Sequence, residues 1–206
     1  LEVLFTQNTA YSIDMTDHGS AAASSLMNAL RATYDASIAV GYSPLVSTSI
    51  YCGDYSKQQI LWVMAGNYAV SQGEYTGAEL RQMMEWLVNV KDNGANPIRH
   101  RNYMPVTSGM EYKVTEYEQG KFRLEELTIN GAPLDDTATY TVFVAGTDVW
   151  IENEVYCNCP MPENLKAKRT EYAIEGAESR SCLKDSLAVS KQFPAPSEYL
   201  TIVQGE

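Results

Sequence analysis

The residue types that most often perform chemistry are scattered in this 206-residue chain. Its two histidines, His18 and His100, lie far apart in the sequence, and neither an Asp-x-His nor an Asn-His-Asp pattern occurs. A two-metal hydrolytic centre needs a cluster of His, Asp and Asn ligands that holds the ions about 3.5–4 Å apart. No Ser-His-Asp, Cys-His, phosphate-loop or dinucleotide pattern occurs in a strand-turn-helix context. The chain alone is therefore predicted to carry no catalytic residue and no metal site.

The four cysteines, Cys52, Cys157, Cys159 and Cys182, allow up to two disulfides and three pairings. Cys157 and Cys159 are too close in sequence to be good partners for each other. They also form a weak zinc pattern, because structural zinc sites usually space their thiolates by two to four residues and use two such pairs. Disulfides or buried thiols are favoured over zinc, and the pairing stays open.

The formal net charge of −11 disfavours nucleic acids and anionic membrane surfaces, because the protein's own field opposes a polyanion. Ile98-Arg99-His100-Arg101 is the one concentrated positive spot, and it could contact a small anion. A solvated loop is the favoured interpretation, since surface charge clusters usually have no ligand. No run of about 18 apolar residues occurs, so no membrane span is predicted.

Hydrophobic periodicity and capping residues predict helices that alternate with strands. The most secure helix follows Thr76, which forms a capping box with Glu79 ahead of an apolar stripe. The other predicted helices run from Ser20 to about Tyr34, from Ser56 to near Gly66 and from Ser181 to Lys191. The predicted strands are Ser37 to Val40, Leu45 to Tyr51, Tyr68 to Val70, Tyr112 to Tyr117, Phe122 to Ile129, Tyr140 to Val144 and Tyr199 to Val203.

These elements predict an α+β domain with helices packed on a mixed β-sheet. The three strands from Tyr112 to Val144 are expected in antiparallel succession, with Asn130-Gly131 as the turn between the last two. A turn is expected at Gly53-Asp54, and residues 152–176 are expected to form a long loop. Residues 18–206 are predicted as the domain. Residues 1–17 are predicted as a linker or an expression-tag remnant, since Leu1 to Phe5 match the start of a viral protease recognition sequence.

Three motifs occur in a fixed order in the second quarter and the middle of the chain. Thr76-Gly77 opens a helix, Ser108-Gly109 precedes a strand, and Asn130-Gly131 is followed by Tyr140-Thr141-Val142. This order resembles the C-terminal domain of the 5'-nucleotidase family. Taken singly, each motif has a structural interpretation: Thr76 caps a helix, the glycines permit backbone geometry, and Ser108 satisfies a buried amide.

The resemblance implies a domain that recognises the nucleoside end of a substrate. A separate N-terminal metallophosphatase domain of the same parent protein would cleave the phosphate with a divalent metal pair. No cofactor is then expected in this chain itself. The family is exported, so a bacterial, extracellular, periplasmic or cell-wall location is expected.

Departures from the family pattern affect the residues that face the ligand. Nucleotide-binding members carry Asn-Gly-Gly-Gly-Ile-Arg after the first strand, whereas Val40 to Ser47 of this chain contains no arginine. Family arginines before the first helix fall at Thr16 to Ser20 and are also absent. The substrate is therefore expected to differ from a common nucleoside monophosphate.

The resemblance also places two phenylalanines around the base, since π-faces stack on any purine. One lies in a Pro-Phe-x-Asn segment, which here reads Met64-Ala65-Gly66-Asn67 and lacks the ring. Near the other, Trp150 could supply a stacking face and Asp148 an acceptor, although a core or rim tryptophan and a turn aspartate are favoured. The candidate ligand-binding residues are Asn67, Ser108, Gly109, Asp148 and Trp150.

Two functional hypotheses follow from the sequence. The first is a non-catalytic substrate-recognition domain of a larger exported phosphoesterase. The second is a domain that has lost ligand binding and acts as an interaction or dimerisation module. The fourteen tyrosines are compatible with the second, because tyrosine supplies amphipathic contact surface, although many suit strands as well.

Overall fold

The computed structural model describes residues 2–42, 45–89, 101–147 and 160–205. The helices in these ranges are α1 (Ala21–Thr33), α2 (Lys57–Val63), α3 (Gly77–Asn89), α4 (Glu163–Glu171) and α5 (Ser179–Ser190). The strands are β1 (Val3–Gln7), β2 (Ile38–Tyr42), β3 (Gly53–Ser56), β4 (Ala69–Thr76), β5 (Pro105–Ser108), β6 (Glu111–Glu118), β7 (Lys121–Ile129), β8 (Ala132–Pro133), β9 (Thr139–Ala145), β10 (Ala173–Glu178) and β11 (Leu200–Gln204).

Three predicted helix starts are confirmed, and each has the expected capping residue. Ser20 accepts a hydrogen bond from the Ala23 N–H at the start of α1. Ser56 and Gln59 form a complete capping box at α2. At α3 the Glu79 carboxylate accepts the Thr76 N–H at 2.8 Å, and the Thr76 hydroxyl accepts the Glu79 N–H at 3.2 Å. Local hydrogen bonds of this kind depend on near neighbours, which is why the sequence pattern identifies them.

The strands form two main sheets and one small pair. The five-stranded sheet has the order β10-β4-β9-β2-β5, and the four-stranded sheet has the order β11-β6-β7-β8. In the first, β2 pairs with β9 in parallel and the other neighbours are antiparallel. In the second, β11 pairs with β6 in parallel. Helices packed on mixed sheets confirm the α+β prediction.

One predicted strand neighbour is wrong. β6 and β7 form the expected antiparallel hairpin, but β9 belongs to the five-stranded sheet, between β4 and β2. The run Val142 to Ala145 is fully buried, as expected of a strand covered on both faces. Asn130-Gly131 is a turn, with φ of 52° and 75°, but it leads into the short strand β8 instead of β9.

The predicted loop over residues 152–176 also needs correction, because α4 lies within it and β10 begins there. In α4, Leu165 is the one buried residue, so the helix gives almost no apolar periodicity. Its position depends on contacts distant in sequence: Lys168 Nζ donates to Glu79 Oε2 at 2.6 Å and to the Glu74 carbonyl at 2.9 Å.

Near the start of the chain, further predictions differ from the structure. Leu45 to Tyr51 forms isolated bridges instead of a strand, and Gly53-Asp54 begins strand β3 instead of a turn. Within residues 1–17, β1 pairs with β3, and Phe5 is buried with its ring stacked on Tyr55 at 5.4 Å.

Glu116 connects the four-stranded sheet to the segment that precedes β5. This β6 carboxylate is 8% exposed and accepts hydrogen bonds from Arg101 at 2.5 Å, from Gln204 at 2.9 Å and from the Gly120 N–H at 2.9 Å. Arg101 precedes β5, and its other terminal nitrogen binds Asp17 at 2.9 Å. Burial acts to raise the pKa of Glu116, but these donors together hold the pKa below its ordinary value.

We predict that Glu116→Gln lowers the free energy of unfolding by roughly 1–3 kcal/mol near neutral pH, because it removes the charge that Arg101 faces. A depressed pKa stabilises the fold above the unfolded value of about 4.3, and this contribution is lost as the pH falls through the lower folded pKa. Chemical denaturation should therefore show a steeper acid loss in the native chain than in Glu116→Gln. The exposed neighbour variant Glu118→Gln should leave stability and its acid dependence nearly unchanged. Equal effects of both variants would contradict the role of Glu116.

Candidate functional site

The carboxyl ends of the parallel strands β2 and β9 meet at one edge of the five-stranded sheet. Strand β4 is antiparallel to β9 and begins at this same edge, where the Gly146 N–H donates to the Ala69 carbonyl at 3.0 Å. We call this region the carboxyl edge: the ends of β2 and β9, the start of β4 and the segment 64–67 before it. Ligands of open sheets commonly bind outside strand carboxyl ends.

Asn67 lies at the carboxyl edge, where the start of α5 holds it. Its side-chain amide donates to Glu178 Oε2, and its carbonyl oxygen accepts the Arg180 N–H at 3.3 Å. The Arg180 guanidinium donates to the Met64 carbonyl at 2.9 Å from Nη2. Glu178 at the end of β10 and Arg180 in α5 thus fix the shape of segment 64–67 and use part of the hydrogen-bonding capacity of Asn67.

A series of hydrogen bonds connects segment 64–67 to the residues before α1. The Ala65 N–H donates to the Leu45 carbonyl at 2.6 Å, and the Ser47 N–H donates to the Val63 carbonyl at 2.8 Å. The Ile13 N–H in turn donates to Ser49 Oγ at 3.0 Å. Beside α1 lies a cleft of about 430 Å³ whose lining includes Ser12, Asp14, Thr16, His18, Ser197 and Glu198.

The charges around this cleft do not favour an anion. Its charged lining groups are Asp14 and Glu198, with His18, whose Nδ1 lies 4.0 Å from Glu198 Oε2. No lysine or arginine of the described chain lines it. Two guanidinium groups of the described residues are engaged within the protein: Arg101 with Glu116 and Asp17, and Arg180 with main-chain carbonyls.

Ser108 and Gly109 lie away from the carboxyl edge. Ser108 is level with Ala39, Phe143 and Gln72 in the sheet register. Asn67 precedes Gln72 by five residues, which at about 3.3 Å per extended residue places it roughly 15 Å further along the sheet. The structure therefore does not bring Asn67 and Ser108 together.

The surroundings of Ser108 are those of a packing contact. Its hydroxyl accepts from Arg31 Nε at 2.8 Å and donates to Asn28 Oδ1 at 2.6 Å. Gly109 has φ of +80°, and a Cβ added there would lie 2.3 Å from the Ser37 carbonyl oxygen. Both residues thus tie the β5–β6 connection to α1 and the start of β2.

The remaining predicted site residues, Asp148 and Trp150, lie outside the described residues, as do Arg99 and His100. Sequence reasoning missed Glu178 and Arg180, which position Asn67 from more than 110 residues away in the chain. The one local signal was a charged pair flanking Ser179 at a helix start, which is too common to identify a site.

The thiols that the structure describes are free. Cys52 is exposed and donates to the Asn8 carbonyl at 3.3 Å. Cys182 is buried and accepts the Tyr34 hydroxyl at 2.8 Å, and burial raises the pKa of its thiol. A pairing of Cys52 with Cys182 is therefore absent, while Cys157 and Cys159 lie outside the described ranges.

Within the described ranges, no group of three or more His, Cys, Asp or Glu residues is placed to hold a metal ion. No helix in those ranges is both long enough and apolar enough to cross a membrane.

Residues 5–147 match the family model described as the C-terminal domain of 5'-nucleotidase. No curated protein matches the chain.

Solved structures with the same fold include the 5'-nucleotidase precursor of Thermus thermophilus (TM-score 0.68, 15% identity) and the NAD nucleotidase of Haemophilus influenzae (TM-score 0.72, 12% identity), each covering 100% of this chain. The sulfate thiohydrolase SoxB of Thermus thermophilus matches 98% of it, with TM-score 0.65 and 16% identity. This chain spans 40%, 38% and 35% of those three proteins, respectively. Identities this low establish the fold alone.

We predict that Gly109→Ala destabilises the protein by about 3 kcal/mol, because the added Cβ meets the Ser37 carbonyl in addition to the left-handed backbone strain of about 1–2 kcal/mol. Gly131→Ala is the matched control, since Gly131 has φ of +75° but open space around a Cβ. It should lose only the backbone strain of about 1–2 kcal/mol. Urea denaturation measures both changes, and equal losses would show that the Ser37 contact is not restrictive.

Proposed function

Because the chain belongs to the 5'-nucleotidase C-terminal domain family, we propose that it is the ligand-recognition domain of a longer, exported, metal-dependent phosphoesterase. In this proposal a metallophosphatase domain N-terminal to it holds the divalent metal pair and hydrolyses the phosphoester. This chain binds the other end of the substrate. The family match supports this assignment of recognition and hydrolysis to two domains. So does the small share of the solved relatives that the chain spans.

The observation that carries the ligand assignment is the pattern of charges around segment 64–67 and the cleft beside α1. Phosphate recognition normally uses arginine or lysine side chains, or backbone N–H groups at a helix start. The described guanidinium groups of Arg101 and Arg180 are committed to protein oxygens. At the start of α1, the Ala22 and Ala23 N–H groups donate to the Ser12 carbonyl and to Ser20 Oγ, and the cleft beside them is lined by two carboxylates. We infer that the recognised moiety is uncharged and rich in hydrogen-bond donors, as sugar hydroxyls and base amino groups are.

Among the described residues, Asn67 is the one best placed to form hydrogen bonds with such a moiety. It is exposed at the carboxyl edge, and its amide presents both donor and acceptor atoms. Glu178 and Arg180 fix its orientation, which reduces the entropy lost when a ligand binds. In the proposal Asp148 and Trp150 complete the site, and the exported location and possible homodimerisation remain predictions.

The test is a thermal-shift series on the 206-residue chain with adenosine and uridine against their 5'-monophosphates. A ligand at about ten times its Kd adds roughly 1.4 kcal/mol, which corresponds to about 3–6 °C in Tm. We expect the nucleosides to raise the Tm by this amount and the monophosphates to raise it less, because the added phosphate faces carboxylates. A larger shift with the monophosphates would contradict the charge argument, and no shift with any compound would contradict nucleoside recognition.

We expect the Asn67→Ala variant to lose most of the nucleoside-induced shift, measured from its own ligand-free Tm. The matched control is Asn164→Ala, which removes an exposed asparagine of α4 that bonds Gln82 far from the carboxyl edge. This control should retain the full shift. Loss of the shift in both variants, or in neither, would remove Asn67 from the proposed site.

A further inference from the structure

Two large aromatic side chains stand exposed around one cleft, whose lining shares no residue with segment 64–67. Tyr51 is 61% exposed and Trp62 is 62% exposed. With Tyr117, they are the exposed aromatic residues of the described chain. Large apolar side chains are usually covered, and their grouping around a concave surface marks a candidate binding site.

The cleft measures about 270 Å³ and is mainly apolar. It lies between the segment before β3 and helix α2, and its lining includes Ser49, Tyr51, Asp54, Tyr55, Gln59 and Trp62. The volume suits a small molecule or a single side chain of a larger one.

Local structure fixes the aromatic residues in place. The Ser56–Gln59 capping box sets the start of α2, and Ile60 and Val63 are buried, which turns Trp62 towards solvent. On the opposite side, the Tyr51 N–H donates to the Tyr55 hydroxyl at 3.0 Å. The two walls of the cleft are therefore held in place by the capping box of α2 and by the Tyr51–Tyr55 hydrogen bond.

The charge of the cleft selects the class of ligand. Asp54 is its one charged residue among those that the structure describes, and Thr6 donates to Asp54 Oδ1 at 2.6 Å. No described lysine or arginine lines the cleft, so it lacks a partner for an anion. Aromatic faces and a carboxylate both attract a cation, and the overall charge of −11 raises the local concentration of cations.

We propose that this cleft binds a small organic cation of the quaternary or methylated ammonium class. The alkyl groups contact the apolar walls, Tyr51 and Trp62 attract the positive charge, and Asp54 supplies the counter-charge. The inference does not depend on the proposed nucleoside site, because it uses other residues and a cationic instead of an uncharged ligand.

The first experiment is a titration of the nitrogen-labelled chain with choline, followed by proton–nitrogen correlation spectra of the three tryptophan indoles. The Trp62 signal is assigned by its loss in Trp62→Phe. We expect it to move saturably with a Kd of about 1 mM or below, while the signal of the buried Trp86 stays in place. Absence of a saturable Trp62 shift would overturn the proposal.

The matched ligand control is the carbon isostere of choline, in which a tert-butyl group replaces the trimethylammonium group. It has the same shape without the charge, so we expect binding about tenfold weaker. Equal affinity for both compounds would show that the cleft selects apolar shape alone. Binding of adenosine at the Trp62 signal without binding of choline would assign the cleft to uncharged rings, and either result overturns the cation assignment.

Calorimetry of variants locates the site. We expect Trp62→Leu and Tyr51→Leu each to weaken choline binding about fivefold, and Asp54→Asn about threefold. Tyr117→Leu removes the other exposed aromatic residue and should change the Kd less than about twofold. All of these side chains are exposed, so the variants should fold. Equal weakening by Tyr117→Leu would place the binding elsewhere.

Discussion

The parallel pairing of β2 with β9 is the constraint on which the rest of the structure depends. The register joins Ile38 to Val142 and Val40 to Val144, and all four side chains are fully buried. A parallel pair cannot be closed by a tight turn, so the chain between the two strands must cross over. That crossover contains α2, α3 and the β6–β7 hairpin. It also brings two strand carboxyl ends to one edge, beside the start of β4.

The sequence reveals those features that near neighbours determine. Capping boxes and apolar stripes identified three helices, because their hydrogen bonds lie within a few residues. It did not reveal that β9 leaves the hairpin sheet or that α4 exists, since both depend on distant contacts such as Lys168 with Glu79. In the candidate site, a motif pointed to Asn67, but its partners Glu178 and Arg180 come from the junction of β10 and α5, and no local pattern connects them.

The pairing of arginines with protein oxygens affects both the stability of the fold and the charge of its clefts. Arg101, Arg180 and Arg31 each bind protein oxygens, and these contacts hold separate parts of the fold together. The two clefts described above are lined by carboxylates, aromatic rings, hydroxyls and amides, and by no lysine or arginine of the described residues. A domain of this family with such surfaces is suited to uncharged or cationic groups. Selection of the phosphate would then fall to the proposed metallophosphatase domain.

We propose that this domain recognises a substrate whose hydrolysis takes place in another part of the same polypeptide. The most direct test is to isolate the native polypeptide from its source cells with an antibody against this chain, and to measure its size and its metal-dependent release of phosphate from nucleoside monophosphates. We expect a native polypeptide much longer than 206 residues that hydrolyses phosphoesters. We expect the 206-residue chain alone to release no phosphate. Hydrolysis by the isolated chain, or a native polypeptide of its own size, would contradict the account.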